Sequence, residues 1–338
     1  MGTLARMTAS VALASPAALV ASLPYLLGFA PHESVIVVWL SGARVILTQR
    51  LDVPDDPADP AWAHAVLAHS AVDRADRAVA ALVSTRSDTD ALGAVLRGLL
   101  TAADITVLDI VQTWGDRWRS LVCEDRECCP VEGRPLDEET RTAVAAEFAW
   151  AGVAPFPGRE ALVRALARDD VRSAAVCRRL PLTVTDLEPW RDASIAAATD
   201  VFLCLEGDID AATAAEVIGA MADVRVRDTV LWEASSWSPD QLQRALVAAE
   251  LLVRCAPRGW LAPVATVYAA MAWLTGDGAR ASIALDRVRE EQPGYSLARL
   301  IGLAISGGMP PESWRDSLAS LSREVCRHGS PDLPRRPA

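Results

Sequence analysis

The sequence of 338 residues contains no lysine and no asparagine, so all 33 of its basic residues are arginines. Without lysine, the chain has no side chain for Schiff-base chemistry, for a Ser–Lys dyad or for the lysine of a phosphate-binding P-loop. Without asparagine, it has no acceptor for N-glycosylation. These two absences exclude several classes of chemistry before any motif is considered.

Basic charge is scarce as well. The 33 arginines stand against 44 acidic residues, which gives a formal net charge of −11 at pH 7. A chain this acidic lacks the positive surface of a general nucleic-acid-binding protein. We therefore expect a protein partner and no general binding of nucleic acid, and the sequence indicates no particular small-molecule ligand.

Long apolar runs are also missing. The closest approach, residues 10–30, is interrupted by Pro16 and Pro24, so it does not reach the 18 or more apolar residues of a membrane span. The seven cysteines are an odd number without regular spacing. That pattern argues against the disulfide framework of a secreted protein and predicts a cytoplasmic protein with reduced thiols.

What is present is ample apolar material, because hydrophobic residues make up 51% of the chain. The length corresponds to about two domains. In the first half, apolar runs typical of buried strands alternate with helical patterns, which predicts an α/β domain at residues 1–135. The runs 34–40 and 44–53 predict an antiparallel hairpin within a mixed sheet. The other predicted elements are strands at 78–84 and 105–113, a bent hairpin at 114–122, and helices at 16–28, 60–74 and 88–102.

The second half of the chain has few strand signals, and we predict an all-α domain at residues 136–328 and a flexible tail at 329–338. Two short apolar runs, 200–206 and 227–234, are ambiguous between strand and helix. The predicted helices are 137–151, 158–168, 170–178, 185–198, 210–223, 238–253, 260–274, 277–291, 296–306 and 311–327.

One stretch of the second half, residues 269–293, resembles a single tetratricopeptide-like helical hairpin. Its helices meet at Gly276-Asp277-Gly278, and Pro293 follows where such a hairpin would end. A solenoid needs about three repeats. Since only one copy is present, an ordinary packed helical hairpin is the favoured interpretation.

The strongest candidate for a site is the group Cys123, Cys128 and Cys129, which lies in a turn-rich polar segment beside Pro130 and Gly133. Three interpretations compete. The thiolates could hold zinc with a fourth ligand from elsewhere, Cys123 could form a redox pair with Cys128 or Cys129, or the thiols could stay reduced in a structural knuckle. The candidates for a fourth zinc ligand are Cys177, His32, His64 and His69.

The same segment contributes to a resemblance that spans about residues 15–320. The stretches are LLGFAPHESVIVV at 26–38, DRWRSLVCEDRECCPVEGRP at 116–135, and WLTGDGA with PGYSLA within 273–298. Together they resemble the actinobacterial family catalogued as domain of unknown function 4192, and the Cys-x4-Cys-Cys-Pro element is the most specific part. The resemblance implies an actinobacterial, cytoplasmic protein, and it supplies no activity, substrate or cofactor.

Three further residues are candidates for catalysis. Asp109 lies within a predicted strand, Arg117 lies between two tryptophans, and His32 precedes the first strand. A loop histidine titrates near neutral pH and could act as an acid or base. No Gly-x-Ser-x-Gly element and no glycine-rich phosphate loop after a strand accompany these residues.

Three functions remain in competition. We favour a cytoplasmic interaction or regulatory module with a cysteine-rich structural segment. The alternatives are an enzyme with a site between the domains near residues 109–129, and a sensor that responds to thiol oxidation or to a metal. The sequence leaves open whether the protein is an enzyme.

Overall fold

The structure is a computed structural model that describes residues 15–69, 71–86, 88–150 and 152–329. Its contacts divide the chain into two compact units, one ending at Ala161 and the other beginning at Leu162. We call them the α/β unit and the helical unit. The predicted flexible tail lies, apart from Gly329, outside the described residues.

The α/β unit contains one six-stranded sheet. The strand order is β2-β1-β3-β4-β5-β6, and only β3 and β4 run parallel. The mixed sheet predicted from the sequence is therefore confirmed. The elements are α1 (Pro16–Leu27), β1 (Ser34–Ser41), β2 (Arg44–Asp52), α2 (Pro60–Leu67), β3 (Arg77–Val83), α3 (Thr89–Ala102), β4 (Thr106–Trp114), β5 (Arg117–Ser120), β6 (Arg134–Pro135) and α4 (Glu138–Trp150), with α5 (Arg159–Ala165) at the division between the units.

The predicted hairpin is the pair β1 and β2, which align antiparallel from Ser34 opposite Asp52 to Ser41 opposite Arg44. All of β1 except Ser41 is buried. Successive side chains of a strand point to opposite faces, so β1 is covered on both faces. This double burial explains its continuous apolar sequence.

A core on one face of the sheet joins β1, β3 and β4 to α2 and α3. The other face contacts α1, which touches β2, β4 and β5. Ser15 caps α1 by accepting a hydrogen bond from the Ala18 backbone N–H, and Gly28 ends it with a φ of 76°. Pro24 is accommodated within this helix.

The helix α4 belongs to the α/β unit. Its Phe148 ring stacks on Tyr25 with 4.5 Å between ring centroids, and Val144 is buried in the same cluster as Ala21. This packing explains why the chain divides after Ala161, whereas the sequence placed the boundary after residue 135.

The helix predicted at 60–74 is shorter in the structure. The regular helix α2 ends at Leu67, and a 3-10 turn follows at Val72–Arg74. Between them, the His69 ring turns inward and lies 3.0 Å from the side-chain oxygen of Gln49. A continued helix would not present this ring to the strand.

The helical unit confirms the all-α prediction for the second half. The ambiguous run at 200–206 mostly continues α7, and the run at 227–234 lies in α9. Its helices are α6 (Asp170–Cys177), α7 (Leu187–Cys204), α8 (Ala211–Met221), α9 (Val224–Ser235), α10 (Pro239–Cys255), α11 (Leu261–Leu274), α12 (Gly278–Glu291), α13 (Ser296–Ser306), α14 (Pro311–Ala319) and α15 (Arg323–His328).

The helix α11 lies at the centre of this unit, and all 14 of its residues are buried. It packs against α10 and pairs with α12 in the hairpin that the sequence predicted. Asp277 caps α12 by accepting a hydrogen bond from the Arg280 backbone N–H. None of the helices in the described ranges is long and apolar enough to cross a membrane.

Candidate metal centre

The three clustered cysteines lie in a loop between β5 and β6, residues 121–133, which we call the cysteine loop. The two strands pair antiparallel, with Trp118 opposite Arg134 and Arg117 opposite Pro135. The ends of the loop are therefore joined by the sheet. Arg117 also donates hydrogen bonds of 2.7 Å to the carbonyl oxygens of Glu132 and Gly133.

Gly133 is required by the shape of the loop. Its φ is +70°, and a Cβ atom there would lie 2.7 Å from the Trp114 ring and 3.0 Å from the carbonyl oxygen of Trp118. A left-handed backbone is costly for residues other than glycine. The close approach to the sheet adds a steric reason for the same choice.

Asp125 organises the backbone around the cysteines. Its carboxylate accepts hydrogen bonds from the N–H groups of Glu127 at 2.9 Å and Cys128 at 3.3 Å. Its carbonyl oxygen accepts one from the N–H of Cys129 at 2.7 Å. Such a turn is a usual role for aspartate. It folds the chain back so that Cys128 and Cys129 face Cys123.

The Sγ atoms of Cys123, Cys128 and Cys129 all lie within 4.8 Å of one another. Zinc–thiolate bonds of about 2.3 Å in a tetrahedral site place neighbouring sulfurs about 3.8 Å apart. The three thiols therefore fit one metal ion after shifts of about an ångström or less. Adjacent cysteines seldom bind one tetrahedral ion together, yet this loop brings the Sγ atoms of both Cys128 and Cys129 close to that of Cys123.

The three thiols differ in exposure, because Cys128 is exposed, Cys123 is intermediate and Cys129 is buried. Burial, together with the neighbouring thiols of Cys123 and Cys128, raises the pKa of the Cys129 thiol to about 11, although a backbone hydrogen bond at Ser120 opposes the shift. A bound cation reverses this effect, since metal ligation stabilises the thiolate.

No fourth cysteine, histidine or carboxylate joins the group among the described residues of the α/β unit. His64 is exposed on α2, and His69 is buried against Gln49 and Trp39. His32 lies in the segment before β1. The remaining sequence candidate, Cys177, ends α6 in the helical unit.

Asp109 is connected to the cysteine loop through Ser120. The Ser120 hydroxyl donates to Asp109 at 2.6 Å and accepts hydrogen bonds from the N–H groups of Val122 and Cys123. Asp109 therefore holds the start of the loop. Reasoning from the sequence missed both Ser120 and Asp125, although an aspartate three residues before a pair of cysteines is a turn signal that could have found Asp125.

Two of the three catalytic candidates adjoin the cysteine loop, and among the residues that the structure describes the third does not bond to them. Asp109 and Arg117 both support the cysteine loop, as described above. In the described part of the chain, no hydrogen bond or ion pair joins the His32 ring to either of them. It is the neighbouring Glu33 that makes side-chain contacts, accepting a hydrogen bond of 2.7 Å from the Ser84 hydroxyl.

The fold and the site define a class: a two-unit protein with a mixed sheet, a helical second half and a three-cysteine loop. The model of the family described as Domain of unknown function (DUF4192) matches residues 16–312, and the chain belongs to this family. The resemblance found in the sequence is thereby confirmed. No curated protein and no solved structure matches the chain.

Proposed function

We propose that this protein is an interaction or regulatory module whose cysteine loop is held by a zinc ion bound to Cys123, Cys128 and Cys129. The observation that supports the metal is the grouping of three Sγ atoms within 4.8 Å. Thiolates are soft ligands that favour zinc among the abundant divalent ions.

A structural role for the ion follows from the composition of the loop. Only Cys129 and Gly133 are buried within residues 121–133. So few buried groups supply little apolar stabilisation. Zinc binding can supply it instead, since the binding free energy of a structural ion contributes directly to folding.

The first test is metal analysis of purified, reduced protein, with a count of accessible thiols. We expect about one zinc per chain and protection of the three loop cysteines from alkylation. Cys123→Ser, Cys128→Ser and Cys129→Ser should each lower the zinc content. Cys204→Ser, at an exposed position on α7, is the matched control and should retain it.

A second readout locates the effect within the chain. Removal of zinc by a chelator should accelerate amide hydrogen exchange in the cysteine loop by about tenfold or more, because local opening becomes easier. Exchange in α11 should not change. Metal-free protein in which Cys123 and Cys128 are alkylated as fast as the exposed Cys204 would contradict the proposal.

The interaction role is supported by an apolar surface on α13. Leu300 and Leu303 are adjacent on this helix and are 54% and 64% exposed, while Ile301 between them is buried. Exposed apolar side chains that adjoin one another in a patch mark protein-binding surfaces, whereas isolated ones are ordinary.

We expect Leu300→Ser with Leu303→Ser to remove specific cross-links to a partner protein in cells. Val247→Ser is the control, because Val247 is 57% exposed but lies on α10. Identical cross-links in the double variant and in the unchanged protein would rule out α13 as the binding surface.

A further inference from the structure

We propose that the fourth position of this zinc ion is open and takes an exchangeable, neutral nitrogen or oxygen donor, which is water at rest and an imidazole group when a ligand binds. The inference rests on the proposed zinc site. It extends that proposal by stating the chemical class of ligand that the site accepts.

The number of protein ligands indicates an open position on the ion. Structural zinc sites are closed by four protein ligands, whereas sites with three protein ligands keep one position for water or substrate. The described residues of the α/β unit supply three thiols and no fourth group.

The two carboxylates that hold the cysteine loop already have other partners. One oxygen of Asp125 accepts the two N–H groups of Glu127 and Cys128. One oxygen of Asp109 accepts the Ser120 hydroxyl and the N–H of Ile110. Ligation through these oxygens would break the hydrogen bonds that shape the loop. The structure therefore holds both aspartates in positioning roles.

The exposure of the thiols gives an incoming donor access to the ion. Cys129 lies against the protein, while Cys128 is exposed to solvent. One side of the sulfur triangle is thus reached from solvent, and an incoming donor has a path to the ion.

The charge around the site selects the class of ligand. Three thiolates on Zn²⁺ leave a net charge of −1. The cysteine loop adds the carboxylates of Glu124, Asp125, Glu127 and Glu132. These outnumber the nearby arginines, which are Arg126 within the loop and Arg117 and Arg134, whose guanidinium groups bond to its carbonyl oxygens. This negative field repels thiolates, phosphates and other anions. A neutral donor such as water or imidazole escapes that repulsion.

The experiment uses the full chain loaded with one zinc ion. X-ray absorption should show three sulfurs at about 2.3 Å and one nitrogen or oxygen at about 2.0–2.1 Å. The cobalt-substituted protein, titrated with imidazole, should give a saturable change in its visible spectrum. Azide, a small anion, should bind at least tenfold more weakly than imidazole.

Variants separate an external donor from a protein donor. His32→Ala, His64→Ala and Cys177→Ser should leave both the absorption data and the imidazole titration unchanged. Four sulfurs around zinc, or a cobalt spectrum unaffected by saturating imidazole, would overturn the open position and leave the zinc site standing. Protein that binds neither zinc nor cobalt would instead overturn the proposed function, and this inference with it.

Discussion

In the cysteine loop only Cys129 and Gly133 are buried, whereas in α11 all 14 residues are. The loop is ordered by hydrogen bonds that Arg117 donates and that Ser120 and Asp125 accept and, in our proposal, by an ion. The helix is ordered by apolar packing on every side. The comparison shows two routes to a fixed conformation in one chain, and they differ in what can disturb them.

The largest effect on the free energy of unfolding is expected in α11, where every residue is buried. Met271 is fully buried, and Met271→Ala should lower the free energy of unfolding by about 2–5 kcal/mol because it leaves a cavity. Met309, in the same unit, is 40% exposed, and Met309→Ala should change the free energy of unfolding by about 0.5 kcal/mol or less. Urea denaturation measures both. Equal losses would mean that burial does not distinguish the two sites.

An intermediate loss of free energy of unfolding is expected for a substitution at Gly133 in the cysteine loop. Gly133→Ala and Gly115→Ala each place a side chain at positive φ, which costs about 1–2 kcal/mol. Only Gly133→Ala also drives a Cβ into Trp114, since nothing lies within 4 Å of a Cβ at Gly115.

We therefore expect Gly133→Ala to be the more destabilising of the two in urea denaturation. It alone should also weaken zinc binding, measured by competition with a chelator. Indistinguishable zinc affinities for the two variants would show that the shape of the loop at Gly133 does not matter for the site.

The smallest effect on stability is expected for a substitution at His69. This residue combines features of the cysteine loop and of α11. The His69 ring is buried, like the residues of α11. It is also held by a hydrogen bond to Gln49, just as the cysteine loop is held by hydrogen bonds. Burial lowers the pKa of His69 below its usual 6.5, and the nearby charge of Arg74 lowers it further, although a backbone hydrogen bond at Val66 opposes both.

The sign of the pH dependence follows from this shift. Below pH 6.5 the unfolded chain takes up the proton before the folded one does, so the stability from neutral His69 is present above 6.5 and is lost as the pH falls. His69→Gln should therefore flatten the loss of stability between about pH 7 and pH 5. His64→Gln, at an exposed position, should not. Urea midpoints at each pH decide between them.

Much of the fold could be predicted because local pattern and burial agree. The continuous apolar run of β1 predicted a strand covered on both faces, and the structure covers it. The helix predicted at 311–327 is wrong in one respect, because it is broken into α14 and α15. Leu321 at the break accepts a hydrogen bond from the Trp232 indole, and Ser322 caps the second helix. That contact joins residues far apart in sequence, which periodicity does not reveal.

For the site, the sequence by itself determined which residues can carry chemistry: no lysine and no asparagine anywhere, and three cysteines within seven positions. Tertiary structure decided the rest. The pairing of β5 with β6 and the turn at Asp125 bring the three sulfurs together, while the inward rotation of His69 takes one expected ligand away. The reason is physical, since residue type sets which bonds are possible, and only packing and hydrogen bonding fix which atoms meet.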